Sequence, residues 1–365
     1  MNTMSTSTRW GSAVALAVAG AVLLSSCAAN EPTSPGTEPS GLSGTLIGGG
    51  ASSQGAAQDA WIAAFQDANP DITVEYEPTG SGTGRDNFIA GGNNFTGSDR
   101  AFKDDELAKD DFAGCVPGTP IVEIPNYISP IAIIFNLDGI TSLKMDAATI
   151  AGILKGDIGK WNDPAISSQN AGVELPDLVI TAVHRSDESG TTENLTDYLS
   201  ANTPVWDADV SGTWPYPGGE AANGTSGVVD AVTNGTGTFG YADASRAAGL
   251  GTVAVKVGDE YVEYSAAAAA AIVDASPAAP GRDAVDMAID LDRSSDAAGV
   301  YPIVLVSYLV ACSDYADDAI AELVKAYLGY VISDAGQAVG EKAAGIAPIS
   351  ATVFEKAMAA VDSIT

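Results

Sequence analysis

The 365-residue sequence has one histidine and three cysteines, and this scarcity limits its metal chemistry. Protein sites for zinc and iron are built from clusters of histidine and cysteine, which this chain cannot supply. The many carboxylates are scattered and do not follow the ligand spacing of an EF-hand loop. We therefore expect neither a resident metal nor a cofactor.

Basic residues are also few, with 16 Lys and Arg against 47 Asp and Glu and a net charge of −31. A nucleic-acid-binding protein needs a basic footprint, and this chain has none. Nucleic acid is thus excluded as a partner, and an anionic membrane surface is a poor match for the folded part. The acidic excess is typical of a protein kept soluble outside the cell.

After the N-terminal segment, no apolar run is long enough to span a bilayer. Arg9 precedes an apolar stretch over residues 10–24, and Ser25, Ser26 and Cys27 follow it. The stretch is too short for a spanning helix and predicts a secretory signal peptide over residues 1–26. The small residues before Cys27 resemble a bacterial lipobox, which implies a lipidated Cys27 that anchors an extracytoplasmic protein to the membrane. The alternative is an ordinary signal peptide with a chance cysteine.

Residues 27–44 are rich in Pro, Ser, Thr and Gly and predict a flexible tether. The remainder, from residue 45, is long enough for two ordinary domains. It contains Cys115 and Cys312, and in an exported protein an even pair favours a disulfide. Two unrelated buried thiols are the alternative. A disulfide would place both cysteines in one domain.

Strand and helix patterns alternate along the folded part and predict an α/β fold with a mostly parallel sheet. TLIGGG, ITVEYE and IVLVSYLVAC are strand-like, while AAQDAWIAAFQDA, DDELAKDDFAG and DDAIAELVKAYLGYVIS are helix-like. Ligands of such sheets bind beyond the carboxyl ends of the strands. Three predicted strand ends carry Ser52, Ser81 and Asp99.

A fourth polar strand end lies in HRSDESGTTENLTDYL, residues 184–199. Ser189 or Thr191 would cap the following helix, whose free N–H groups attract anions. Arg185 supplies a fork that matches a tetrahedral oxyanion, and Asp187 can hold it in place. The stretch could be a plain cap, a nucleophile or an oxyanion cradle. A hydrolase triad would depend on His184, the single histidine, and no phosphate-binding GxxxxGK[ST] motif is present. An oxyanion site fits best, because hydroxyls and glycines recur at four loop-to-helix starts.

Several motifs together resemble the phosphate-binding protein of Pst-type ABC transporters. They are GSGTGRDNFIAG, TGSDRAF, GDIGKWNDPAI, RSDESGTTENLTDYLS and GTFGYAD, and the resemblance extends from residue 45 to the C-terminus. It implies a two-lobed type II periplasmic-binding-protein fold, each lobe a mostly parallel sheet flanked by helices. Lobe I would comprise residues 45–126 and 303–365, and lobe II residues 127–302. Two crossover segments are expected near residues 125–130 and 301–306.

The resemblance also implies which residues bind phosphate. They are Ser52, Ser53 through its N–H, Ser81, Asp99, Arg185, Ser189, Gly190 and Thr191, with Asp187 supporting the arginine. Many relatives have Thr-Phe where this chain has Ser52 and Ser53. Asp99 can accept a hydrogen bond from an oxyanion that retains a proton, as phosphate does near neutral pH. Sulfate retains none, so we expect it to be rejected.

The function implied by the resemblance is that of a receptor, not an enzyme, that delivers phosphate to the transmembrane subunits of an ABC permease. A phosphatase on the same scaffold is one alternative and would need a metal set or a nucleophile with its base. A receptor for another protonated oxyanion, such as arsenate, is the other.

Overall fold

The computed structural model of the chain describes residues 41–109 and 111–365. The predicted signal peptide, Cys27 and most of the tether lie outside the described residues. Within the described ranges no helix is long and apolar enough to cross a bilayer. The first strand begins at Gly44, one residue before the predicted start of the folded part.

The strands are mostly apolar. All are short except one, which has 16 residues. In chain order they are β1 (Gly44–Gly50), β2 (Ile72–Glu77), β3 (Phe95–Ser98), β4 (Ile121–Asn136), β5 (Ser142–Met145), β6 (Thr181–Arg185), β7 (Glu220–Ala222), β8 (Thr238–Asp243), β9 (Gly251–Val257), β10 (Glu260–Val262) and β11 (Val304–Cys312).

Several helices begin at capping residues that the sequence provides. Asp146, Ser189 and Asp317, for example, each accept a hydrogen bond from a backbone N–H of the helix that follows. The helices are α1 (Gly55–Ala68), α2 (Ser81–Ile89), α3 (Asp104–Leu107), α4 (Ala147–Lys155), α5 (Pro164–Ser167), α6 (Gly190–Asn202), α7 (Gly224–Asn234), α8 (Ala266–Ala275), α9 (Asp318–Ile332), α10 (Asp334–Ala344) and α11 (Ala351–Asp362), with 3-10 turns at Ser52–Gln54 and Ala244–Arg246.

The sheet has two halves that share β4. In the first half the order is β2-β1-β3-β11-β4, with β1 parallel to β2 and β3, and β11 antiparallel to both of its neighbours. In the second half β4 pairs with β8 and β9, β8 with β6, and β6 with β7. β9 also pairs with β5 and β10. Helices cover both halves, so the α/β class is confirmed.

The chain passes between the halves within continuous strand. Pro130 of β4 pairs with Val304 of β11, whereas the next residue, Ile131, pairs with Asp243 of β8. The sheet is more mixed than the predicted mostly parallel one, because β4 and β11 run antiparallel to their neighbours. The predicted lobe boundaries at 126/127 and 302/303 stay predictions.

The helix predicted over DDELAKDDFAG is wrong beyond Leu107, since α3 covers only Asp104–Leu107. Leu107 and Phe112 are five residues apart and do not lie on one helical face. Phe112 instead packs on Phe88 and Phe102, with ring centroids 5.7 Å apart in both cases.

The predicted disulfide between Cys115 and Cys312 is confirmed. It joins the loop before β4 to the last residue of β11 across a sequence separation of 197 residues. Both cysteines are buried in the core of the first half, which also contains Trp61, Phe95 and Tyr327. The C-terminal segment is thereby fixed to the N-terminal part of the fold.

Candidate functional site

The first half of the sheet brings three predicted site residues together at its carboxyl edge. Ser53 lies in the 3-10 turn after β1, Ser81 begins α2, and Asp99 directly follows β3. Ser53 Oγ donates to Asp99 Oδ1 at 2.6 Å, and the Asp99 N–H donates to Ser81 Oγ at 3.1 Å. All three are at most 2% exposed. Gly80, before α2, has a φ of 101°, a value that glycine adopts without strain.

The second half contributes the turn between β6 and α6. Ser189 is the N-cap of α6, and its Oγ accepts from the N–H of Thr192 at 3.2 Å. Arg185 ends β6 and forms a bidentate ion pair with Asp187, with Nε 2.8 Å from Oδ1. Burial raises the pKa of Asp187, but the hydrogen bonds and charge of Arg185 outweigh it and leave that pKa below its ordinary value. Asp187 thus stays ionised and fixes the Arg185 guanidinium.

The two halves meet at Asp99. Thr191 Oγ1 donates to Asp99 Oδ2 at 3.0 Å, and Asn194 Nδ2 donates to the Asp99 carbonyl at 2.7 Å. Gly190 approaches so closely that a Cβ there would lie 2.6 Å from the Asp99 Cβ and 2.7 Å from Ser81 Oγ. A side chain at position 190 would therefore push the halves apart.

Ser52 has a different environment from the other predicted site residues. Its hydroxyl lies 3.1 Å from Thr225 Oγ1 and accepts from the Thr225 N–H at 3.2 Å. Thr225 is the second residue of α7, so this contact also joins the two halves. Thr225 was not among the predicted site residues, although its position at a helix start was a usable signal.

Charged side chains of the two halves pair around the site. Arg85 contacts Glu188 at 2.7 Å, and Arg100 contacts Glu193 at 2.8 Å. Glu106 accepts two hydrogen bonds from Arg100. Burial raises the pKa of Glu106, but these hydrogen bonds and the charge of Arg100 lower it by more, to about 2. The pairs of Arg85 with Glu188 and of Arg100 with Glu193 were not predicted, because their partners are 103 and 93 residues apart in the chain.

Ser307 of β11 is another residue that the sequence analysis missed. Its Oγ donates to Asp99 Oδ1 at 2.7 Å, beside the hydroxyl of Ser53. The sequence did contain a signal for Ser307, because only Ser307 and Tyr308 carry a hydroxyl group in the apolar stretch VLVSYLVAC. Asp99 therefore accepts from three side-chain hydroxyls, two on Oδ1 and one on Oδ2.

His184 lies within β6 and is buried against Trp214, with stacked rings whose centroids are 4.8 Å apart. Its Nδ1 is 3.0 Å from the Arg185 carbonyl and its Nε2 is 3.1 Å from the Gly218 carbonyl. Both ring nitrogens thus face backbone oxygens and neither faces a serine. Among the described residues no group of His, Cys, Asp and Glu has the arrangement of a metal site.

Two half-sheets that share a central strand and face each other with polar strand ends define a two-lobed solute-binding protein. A family model described as a PBP superfamily domain matches residues 35–335. Phosphate-binding protein PstS 3 of Mycobacterium tuberculosis (strain ATCC 25618 / H37Rv) is 31% identical over 373 residues, which cover 98% of this chain and 99% of the relative. The chain belongs to the PstS family of phosphate-binding proteins within this superfamily.

Solved structures agree with the fold. The phosphate-binding protein from Stenotrophomonas maltophilia has a TM-score of 0.66 over 87% of this chain and 94% of that chain, at 22% identity. A phosphate ABC transporter substrate-binding protein from Clostridium perfringens, described as putative and with bound phosphate, has a TM-score of 0.59 over 84% of this chain and 100% of that chain, at 17% identity. At these identities the likeness shows the fold alone.

Proposed function

We propose that this protein is an extracytoplasmic receptor that binds inorganic phosphate between its two lobes and delivers it to an ABC permease. The observation that carries the proposal is the convergence of Ser53, Ser81 and Asp99 from one half with Gly190 and Thr191 from the other. The names of the relatives, phosphate-binding proteins that align over nearly the whole chain, support the same ligand.

Asp99 supplies the selectivity in this proposal. A carboxylate oxygen can accept two hydrogen bonds, so Oδ1 is filled by Ser53 and Ser307, whereas Oδ2 has one position left beside Thr191. A proton on phosphate fills that position, while sulfate would place an oxygen against an unpaired, buried charge. Arg185, the hydroxyls of Ser52 and Ser81, the N–H of Ser53 and the N-terminal residues of α6 then bind the remaining phosphate oxygens.

Lobe closure follows from the connections between the halves. β4 carries the chain across at the change of pairing partner after Pro130, and β11 begins opposite that point, so these are the segments expected to bend. Contacts such as Thr191 with Asp99 and Arg85 with Glu188 would form on closing.

The proposal includes no covalent chemistry. Both ring nitrogens of His184 face carbonyl oxygens, which leaves Ser189 without an evident base. A chromogenic phosphate ester assay tests this directly, and turnover that survives removal of contaminating phosphatases would favour the phosphatase alternative.

The proposed membrane anchor depends on lipidation of Cys27. Replacing Cys27 with serine should release the protein from the membrane fraction, and retention there would contradict the anchor.

Isothermal titration calorimetry of the purified protein with phosphate and with sulfate tests the main proposal. We expect a saturable phosphate signal and at least about 100-fold weaker sulfate binding, equivalent to about 2.7 kcal/mol. Absence of phosphate binding by the folded protein, or comparable affinity for both anions, would overturn it. Arsenate, which is protonated much as phosphate is, serves as the third ligand and distinguishes a receptor specialised for that anion.

A further inference from the structure

A line of buried polar side chains lies behind Asp99 and connects it to helix α9. Its members are Tyr327, Gln58, Gln54 and Ser307, each with no exposed surface. None of them is among the predicted phosphate ligands, and each is surrounded by the core of the first half. Buried polar groups of this kind are costly unless every donor finds an acceptor.

The hydrogen bonds along this line all point toward Asp99. The Tyr327 hydroxyl donates to Gln58 Oε1 at 2.7 Å, and Gln58 Nε2 donates to Gln54 Oε1 at 2.8 Å. Burial raises the pKa of Tyr327 well above its ordinary value, so its hydroxyl keeps the proton that it donates. Gln54 Nε2 donates to Ser307 Oγ at 2.6 Å, and Ser307 Oγ donates to Asp99 Oδ1 at 2.7 Å.

The direction of the line is fixed by a backbone carbonyl. Gln54 Nε2 lies 3.2 Å from the carbonyl oxygen of Tyr308, which can only accept, so the amide nitrogen must face this side. Ser307 therefore receives a hydrogen from Gln54 and has its own hydrogen left to donate. Its nearer acceptor is Asp99 Oδ1 at 2.7 Å, whereas the Ser98 carbonyl is 3.3 Å away.

A β-bulge presents both groups to Gln54. Ser307 pairs with Tyr127 and Tyr308 pairs with Pro125, so Asn126 of β4 is the extra residue. Such bulges re-aim side chains next to binding sites. Here the irregular register lets the Ser307 hydroxyl and the Tyr308 carbonyl contact the same amide.

We propose that Gln54 and Ser307 are positioning residues that hold Asp99 as an obligate hydrogen-bond acceptor and thereby set the preference for a protonated oxyanion. The proposal rests on the phosphate-binding function proposed above and deepens it. Asp99 Oδ1 faces two donors, the hydroxyls of Ser307 and Ser53, and a proton on that oxygen would meet another proton. With both positions on Oδ1 filled by donors, Oδ2 is the oxygen left for the ligand, and a ligand that carries a proton can donate to it.

Replacing Ser307 with alanine removes one donor to Asp99 and leaves Gln54 its bond to the Tyr308 carbonyl. The Asp99 carboxylate then has one donor fewer on Oδ1 and is held less firmly, so an anion without a proton can bind with less of its charge directed at Oδ2. We expect the ratio of phosphate to sulfate affinity, measured by titration calorimetry at neutral pH, to fall about tenfold, which corresponds to about 1.4 kcal/mol. If Ser307 served only in packing, the substitution would weaken the binding of both anions alike and leave the ratio of their affinities unchanged.

Two further variants make the test specific. Thr238→Val deletes a buried hydroxyl of the second half, which donates to the Val232 carbonyl at 2.9 Å, and should keep the wild-type ratio. Ser307→Thr restores the donor and should return the ratio to within about threefold of wild type, which corresponds to about 0.65 kcal/mol. A folded Ser307→Thr protein with the ratio of the alanine variant would overturn the proposal.

The wild-type titration separates this inference from the proposed function. If the wild-type protein binds no phosphate, the proposed function fails. If it binds phosphate and rejects sulfate, but folded Ser307→Ala keeps the full preference, only the role of Ser307 fails. Should the alanine variant not fold, Ser307→Cys replaces it with a weak donor of similar size. An unchanged ratio in that protein would count equally against the proposal.

Discussion

Exchanging Asp99 for asparagine should change which anion the protein accepts. Two hydroxyls, those of Ser53 and Ser307, donate to Oδ1, so the amide oxygen of the new side chain should occupy that position. The amide nitrogen then replaces Oδ2 and faces the ligand as a donor. The group that rejected a fully deprotonated oxyanion becomes one that binds it.

The magnitude follows from the burial of this carboxylate, which is 2% exposed. Leaving a buried group of this kind unsatisfied costs about 1–3 kcal/mol, and more when it is charged. Removing that cost should raise sulfate affinity by at least about tenfold, and by about 100-fold if 2.7 kcal/mol is recovered. Phosphate should change less, because its protonated oxygen can rotate away and an unprotonated one can accept.

Titration calorimetry with both anions at constant ionic strength measures the two affinities. The exposed Asp230 on α7 provides a control, since Asp230→Asn removes the same formal charge away from Asp99 and should leave the selectivity unchanged. The reasoning is refuted if a folded Asp99→Asn protein still binds phosphate and still rejects sulfate as strongly as wild type.

Three other variants test separate parts of the structure. Arg185→Ala should weaken phosphate binding at least about tenfold, because a hydrogen bond to a charged group contributes about 1.5–3 kcal/mol. Arg246 is exposed and serves as the control, since Arg246→Ala should have little effect. Equal losses of affinity in the two variants would contradict the role of Arg185. Burial raises the pKa of Asp243 to about 6. Because the folded state then holds a proton that the unfolded state releases near pH 3.9, the free energy of unfolding should fall by about 2 kcal/mol as pH rises from about 4 to 6, and by about 3 kcal/mol over the whole transition. The free energy of unfolding of Asp243→Asn, measured by urea denaturation at each pH, should lack that decrease. If it falls with pH as steeply as in the wild-type protein, the pH dependence belongs to other groups. Replacing Cys115 and Cys312 with serine should lower the free energy of unfolding by about 2–5 kcal/mol, and identical denaturation curves with and without the disulfide would show that it is dispensable.

The sequence was sufficient to predict the strand ends that meet in the site. Ser52, Ser81 and Asp99 were predicted at strand ends of the first half, and adjacent parallel strands bring their carboxyl ends to one edge. Ser53 was named only through the family resemblance and for its N–H, whereas its hydroxyl is the group that contacts Asp99. Ser189 and Thr191 were identifiable because a helix cap has a local signature. Their proximity follows from the fold, while their role as phosphate ligands stays a prediction.

Contacts that depend on register and on distant segments could not be predicted. Ser307 reaches Asp99 only because β11 lies between β3 and β4 and because a bulge shifts its pairing with β4. Thr225 contacts Ser52 across 173 residues, and no local pattern encodes that distance. The mixed character of the sheet could not be predicted for the same reason, since the direction of β4 and β11 is a property of the complete topology.

The position of β11 has a consequence for how the chain acquires its structure. This strand is completed only at Cys312, yet it separates β3 from β4 in the sheet. Until it emerges from the ribosome or a translocation pore, the N-terminal third has two open strand edges, which are templates for aggregation. The first half must therefore assemble after nearly the whole chain has been made. Pairings of such long sequence separation form slowly, and a holding chaperone would be most useful during that interval.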